Sequence, residues 1–239
     1  AMVTSSPHPA SASQFIPCDR SAPFARPFLH ASLPDHPHGL ALSSDCELLY
    51  VADRSNHRVQ CFRMSDGTAV DCTARDAVWG PYGLALHMAR GSQLMLYVCD
   101  ANNDRIVGFN ARALSAAPLV AFGSNGALAG ELDRPRGLSV AGSELVVAEL
   151  GNNRCSVWSS HSGECTRTVG DVASENGALP LRQPFGVMHA HGLLLVTEST
   201  TFGRLVVFSW PAGEPLQVLS PRGCAALGGM VADAHWIYC

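Results

Sequence analysis

Three short runs decide the fold: Pro37-His38-Gly39-Leu40-Ala41-Leu42, Leu48-Leu49-Tyr50-Val51-Ala52-Asp53 and Asn56-His57-Arg58-Val59-Gln60-Cys61-Phe62. In the first, Pro fixes the direction of the chain and Gly permits a tight backbone approach. The second is apolar without alternation, the pattern of a strand buried on both faces, and an acid closes it. The third opens on a polar turn and then alternates, Val59 and Cys61 against polar neighbours, as a strand does. The same elements return in order. Pro81-Tyr82-Gly83, Leu96-Tyr97-Val98-Cys99-Asp100 and Asn103-Asp104-Arg105 make a second copy. Pro135-Arg136-Gly137, Leu145-Val146-Val147-Ala148-Glu149 and Asn152-Asn153-Arg154 make a third. Pro184-Phe185-Gly186, Leu194-Leu195-Val196-Thr197-Glu198 and Gly203-Arg204 make a fourth, and a fifth begins near Gly228-Gly229-Met230-Val231 and stops at Cys239.

The four arginines of these turns, Arg58, Arg105, Arg154 and Arg204, stand 47, 49 and 50 residues apart. That period is close to one four-stranded propeller blade. A weaker fourth strand follows each copy, as at Thr166–Val169 and Leu216–Leu219. No amphipathic helix interrupts the series. The 239 residues would also allow two small domains, but the repeat argues for one all-β array: a β-propeller over 28–239, with a Ser/Pro/Ala-rich tail over 1–27. About five blades are visible. Two readings stay open: a piece of a longer, six-bladed propeller, or closure of the last blade by the segment around Phe28-Leu29.

Composition agrees with a packed domain. The chain is 47% hydrophobic and 15% charged, which excludes wholesale disorder. Its 22 Gly and 15 Pro supply many turns. Net charge is −4, and all 16 basic residues are Arg, so a generic nucleic-acid binder is not expected. No apolar run reaches the length of a transmembrane helix, no secretory leader is visible, and a cytoplasmic location is expected. The nine Cys form no C-x-x-C pair. Cys61 with Cys72, and Cys155 with Cys165, flank hairpin turns, and two readings apply to them: cross-strand disulfides, or Cys61 and Cys155 as small core hydrophobes, which is preferred.

The pattern Pro-x-Gly-Leu-Ala, Tyr-Val-Ala-Asp, Asn-His-Arg-Val-Gln-Cys-Phe resembles the NHL repeat, over roughly residues 33–239. The resemblance implies a β-propeller, most often six-bladed, and in many relatives a module that binds protein or peptide. RNA binding, known in parts of the family, is the weaker expectation here, through a local Arg face of Arg54, Arg105 and Arg136.

The acid and Arg of each copy (Asp53 and Arg58, Asp100 and Arg105, Glu149 and Arg154, Glu198 and Arg204) read as scaffold ion pairs, because catalysis rarely needs four copies. The residue between Pro and Gly varies instead: His38, Tyr82, Arg136 and Phe185. Variation on a constant scaffold is where binding is placed, so these four are the candidate channel-mouth contacts. The first copy also resembles peptidyl-α-hydroxyglycine α-amidating lyase, through Pro37-His38 and Ala52-Asp53-Arg54. That resemblance implies a zinc-dependent C–N lyase with His38 as a metal ligand and Arg54 at the active site. However, Tyr82, Arg136 and Phe185 stand where its other ligands would be. His87, His189, His191 and His235 are the remaining histidines considered for metal. A lactonase or strictosidine-synthase type of propeller would need a calcium-binding acidic cluster that the Pro-x-Gly positions do not supply. The expectation is therefore a non-enzymatic binding propeller without a cofactor, its oligomeric state open.

Overall fold

The computed structural model describes residues 34–89, 92–171, 180–200, 203–220, 230–232 and 237–238. Every regular element in them is a strand. Four antiparallel four-stranded sheets follow one another along the chain, each a simple meander. The first comprises β1 (Pro37–Leu42), β2 (Leu48–Asp53), β3 (Arg58–Arg63) and β4 (Ala69–Cys72). The second comprises β5 (Pro81–Met88), β6 (Leu94–Asp100), β7 (Arg105–Asn110) and β8 (Val120–Phe122). The third runs β9 (Pro135–Ala141), β10 (Glu144–Glu149), β11 (Arg154–Ser159) and β12 (Cys165–Val169), and the fourth β13 (Pro184–Ala190), β14 (Leu193–Glu198), β15 (Arg204–Ser209) and β16 (Pro215–Leu219). Two short strands, β17 (Val231–Ala232) and β18 (Ile237–Tyr238), pair with each other where the fifth copy was expected. The proposed tail and the segment around Phe28-Leu29 lie outside the described residues.

The second and third strands are buried along almost their whole length, because each sheet packs a neighbour on either side. Tyr50, Val59 and Cys61 of the first blade close on Leu96, Val98 and Phe109 of the second. Tyr97 and Ile106 close on Leu145, Val147 and Trp158 of the third. Val146, Val157 and Cys155 close on Leu194, Val196 and Phe208 of the fourth. This face-to-face burial is the main driving force of the fold. Two phenols also tie blades together at equivalent positions: Tyr50 donates to the Ala111 carbonyl at 2.9 Å, and Tyr97 to that of Ser160 at 2.9 Å.

The innermost strands touch through the glycines of Pro-x-Gly. A Cβ on Gly39 would stand 2.1 Å from the Tyr82 oxygen, and one on Gly83 2.3 Å from the Arg136 oxygen. Only glycine lets these backbones meet, which draws β1, β5, β9 and β13 side by side around an axis.

The acid that closes each second strand is fully buried and fully partnered. Asp53 accepts hydrogen bonds from Arg58 Nε at 2.8 Å, Gln60 Nε2 at 2.7 Å, Asn56 Nδ2 at 2.8 Å and the Asp35 amide at 2.7 Å. Arg105 reaches Asp100 at 2.7 Å, Arg154 reaches Glu149 at 3.1 Å, and Arg204 reaches Glu198 at 2.5 Å. A buried carboxylate is tolerable only with such partners. The same turns latch consecutive blades. The middle residue sits at positive φ, and its side chain accepts the amide just before the next blade's proline. His57 Nδ1 takes Gly80 at 3.2 Å, Asp104 takes Arg134 at 2.7 Å, and Asn153 takes Gln183 at 2.8 Å.

Candidate functional site

The local backbone explains how the variable residues are presented. In each blade the register between the first two strands slips at Pro-x-Gly: between Pro37 and Leu40, between Pro81 and Leu84, opposite Val147 to Glu149, and between Pro184 and Gly186. A bulge re-aims the side chain it carries. His38, Tyr82, Arg136 and Phe185 thereby leave the ladder, and all four line one cavity of about 770 Å³ at the inner end of the blades. Leu42, Leu84, Leu138, Val187 and Met230 add an apolar wall.

Tyr82 is the centre of this cluster. Its ring stacks on His38 at a centroid distance of 4.0 Å and meets Phe185 edge-on at 6.0 Å. The Arg136 guanidinium lies over the same ring at 3.8 Å, and that of Arg54 at 5.1 Å. Cation–π contact of this kind fixes the charged planes in place. The cavity lining carries no carboxylate. Arg136 Nε and Nη1 and Arg54 Nε are buried without a hydrogen-bond acceptor. Burial, then repulsion by Arg54 and Arg134, lowers the pKa of Arg136. Burial, then the charges of Arg54, Arg136 and His36, holds His38 below the ordinary histidine value. The site is therefore a pocket of positive potential with an aromatic floor.

The family model for the NHL repeat matches residues 35–62, which span β1 to β3. Among solved structures, a chain in a crystal structure of a nidogen/laminin complex shares the fold with a TM-score of 0.62 at 19% identity. The match covers 81% of this chain and 66% of that one. The repeat, the four blades and these matches agree. The chain folds as a β-propeller, and its first blade carries an NHL repeat. No curated protein matches it in sequence.

Within this propeller the eight scaffold residues pair as acid and Arg in their own blades, and none lines the channel-mouth cavity. This corrects the expected Arg face. Arg105 is held by Asp100 and donates to the Ala77 carbonyl at 3.3 Å, so of the three only Arg136 lines the cavity, with Arg54 beside it over the Tyr82 ring. The sequence names Arg54 in that Arg face and through the lyase resemblance, but not among the channel-mouth contacts. A signal for it was present in the sequence: the residue after the closing acid is Arg54, Ala101, Leu150 and Ser199 in successive copies, so one copy alone carries a charge.

The zinc that the lyase resemblance implies does not fit the described residues. His38 has a tyrosine face and two guanidiniums around it, and no three His, Cys, Asp or Glu side chains converge among the described residues. His87 approaches Ser160 Oγ at 3.3 Å in another interface, and His189 faces Trp210. His191 occupies the β13–β14 turn at positive φ. His235 lies outside the described residues.

The cysteine hairpins also differ from the disulfide reading. Cys61 is opposite Asp71 and Cys72 opposite Gln60, while Cys155 is opposite Val169 and Cys165 opposite Trp158. None of these pairs is cross-strand, and all four thiols are free. Cys61 and Cys155 are buried in the core, where desolvation pushes the Cys61 pKa up to about 11. No helix among the described residues is long and apolar enough to cross a membrane.

Proposed function

We propose that this propeller is a non-enzymatic interaction module that receives a protein or peptide ligand at the channel mouth. The observation that carries this reading is the convergence of His38, Tyr82, Arg136 and Phe185, one from each of the four blades, on a single mostly apolar cavity. The frame around them repeats, whereas these four residues do not. Pockets of this size with an apolar wall and a few converging polar groups are suited to ligands. NHL propellers commonly serve as protein-interaction modules, and the structural neighbour comes from a complex of two proteins. The aromatic and Arg content of the mouth is the composition that interface hot spots favour.

Selection from a displayed random-peptide library against the full chain tests the proposal. Peptides enriched on the native chain should lose at least tenfold in affinity against Tyr82→Ala and Phe185→Ala. Peptides that bind both variants unchanged, or no enrichment at all, would refute a channel-mouth binding site.

A further inference from the structure

We infer that the channel mouth is a carboxylate-binding site, with Arg136 and Arg54 as its two anchors on the Tyr82 platform, and that its occupant is a peptide presenting an acidic group beside an apolar side chain. This rests on the binding-module reading and specifies the ligand that module takes.

Three observations converge. The first is the unmet hydrogen-bonding capacity. Arg136 keeps two buried donor nitrogens, Nε and Nη1, and Arg54 one, Nε, without an acceptor, although both side chains are already ordered against Tyr82. Each unsatisfied buried donor costs free energy, more when it belongs to a charged group. A carboxylate entering the cavity relieves that cost through the paired geometry that guanidinium favours. The second is charge segregation. The protein carries net charge −4, yet no acid lines this cavity, and the two guanidiniums repel one another. The turn arginines Arg58, Arg105, Arg154 and Arg204 all have carboxylate partners in their own blades. The third is the wall. Leu42, Leu84, Leu138 and Val187 flank the charged locus, so the anion arrives with an apolar neighbour.

These features favour a peptide over a nucleic acid. A polyphosphate backbone is bound by a row of cations, and here a single cationic locus sits in a net acidic protein. The carboxylate itself has two sources, an Asp or Glu side chain or a free chain terminus.

The test uses the full chain labelled for NMR of the arginine Nε–H groups. Its probes are acetate, Ac-Leu-Glu-Leu-NH2, Ac-Leu-Gln-Leu-NH2, Ac-Leu-Gln-Leu-OH and hexauridylate. A carboxylate site predicts that acetate shifts the Arg136 and Arg54 signals at millimolar concentration. It predicts that at least one carboxylate peptide binds tenfold or more tightly than the neutral amide. The Glu peptide winning marks a side-chain source, and the free acid winning marks a terminus. Arg136→Gln and Arg54→Gln should each abolish the preference while circular dichroism stays native. Equal binding of neutral and acidic peptides, sensitive to Tyr82→Ala, would overturn the carboxylate inference and leave the binding module standing. Acetate shifting both arginines while no peptide binds would keep the anion site and overturn its peptide occupant. Hexauridylate binding more tightly than every peptide would overturn the assignment in favour of RNA.

Discussion

The third blade offers the sharpest test of how the scaffold is held. Glu149 is fully buried and Arg154 is only 9% exposed. Besides Glu149, Arg154 donates to the carbonyls of Ala127 at 2.7 Å, Leu128 at 3.1 Å and Glu131 at 3.1 Å. Arg154→Met keeps much of the aliphatic volume and removes the charge. The carbonyl partners lie on a loop with exposed residues, so water replaces their lost bonds at small cost. The main loss is the stranded carboxylate, which retains the Asn152 amide at 2.6 Å and no guanidinium. Breaking a buried pair in this way costs about 3–5 kcal/mol, a large share of a typical stability of about 5–15 kcal/mol. Arg105 gives the contrast. It is 35% exposed, so water reaches Asp100 when it is removed, and Arg105→Met should cost about 1–2 kcal/mol after that screening. The double change Glu149→Gln/Arg154→Met removes the buried charge with its partner and should recover part of the loss. Urea unfolding read through Trp158, which is buried in the same blade, measures all three. An Arg154→Met cost below about 1 kcal/mol would refute the reasoning. So would a double variant less stable than the single one.

Four further outcomes follow from the same geometry. Gly83→Ala places a methyl group 2.3 Å from the Arg136 oxygen, so it should destabilise the chain by at least about 3 kcal/mol and weaken channel-mouth binding, seen by urea midpoint and peptide titration together. His57→Asn keeps an acceptor for the Gly80 amide and should be near neutral, whereas His57→Ala should cost about 1 kcal/mol by thermal melting; equal effects would deny the latch. Because His38 has a lowered pKa when folded, the folded state binds fewer protons than the unfolded one just below the ordinary histidine pKa. Its contribution to stability is therefore whole above about pH 6.5 and falls as pH drops from there toward the folded value, and Arg136→Gln should raise the His38 pKa in an NMR titration. Alkylation of the native chain should label the exposed Cys46 and Cys72 quickly and leave Cys61, Cys99 and Cys155 protected until it unfolds, as read by peptide mass mapping.

The sequence showed the fold because each blade has several requirements at fixed separation. A proline and glycine must let inner strands meet, a doubly buried strand must be apolar throughout, and an acid must find an arginine across a short turn. Chance rarely meets all of these four times at a near-constant period. The binding site was legible only in part, and for a related reason. His38, Tyr82, Arg136 and Phe185 stood out as the varying position of a constant motif, and the bulge at that position brings them together. What sequence spacing could not reveal was register. A second class of bulge, between Cys61 and Phe62 and between Val157 and Trp158, shifts the outer strands by one residue. With or without that shift the cysteines miss each other, since Cys61 faces Asp71 rather than Cys72 and Cys155 faces Val169, four residues from Cys165. Nor does spacing show that Arg54, which follows a scaffold acid in the first blade, reaches the ring of Tyr82 in the second. The two cases share a cause. A repeat fixes what each blade does for itself, while function at a propeller mouth arises between blades, from side chains whose meeting depends on bulges and ring geometry. The residues that break the repeat are thus the ones to read for binding, and Arg54 and Arg136 are the two charged departures that the fold places on one aromatic ring.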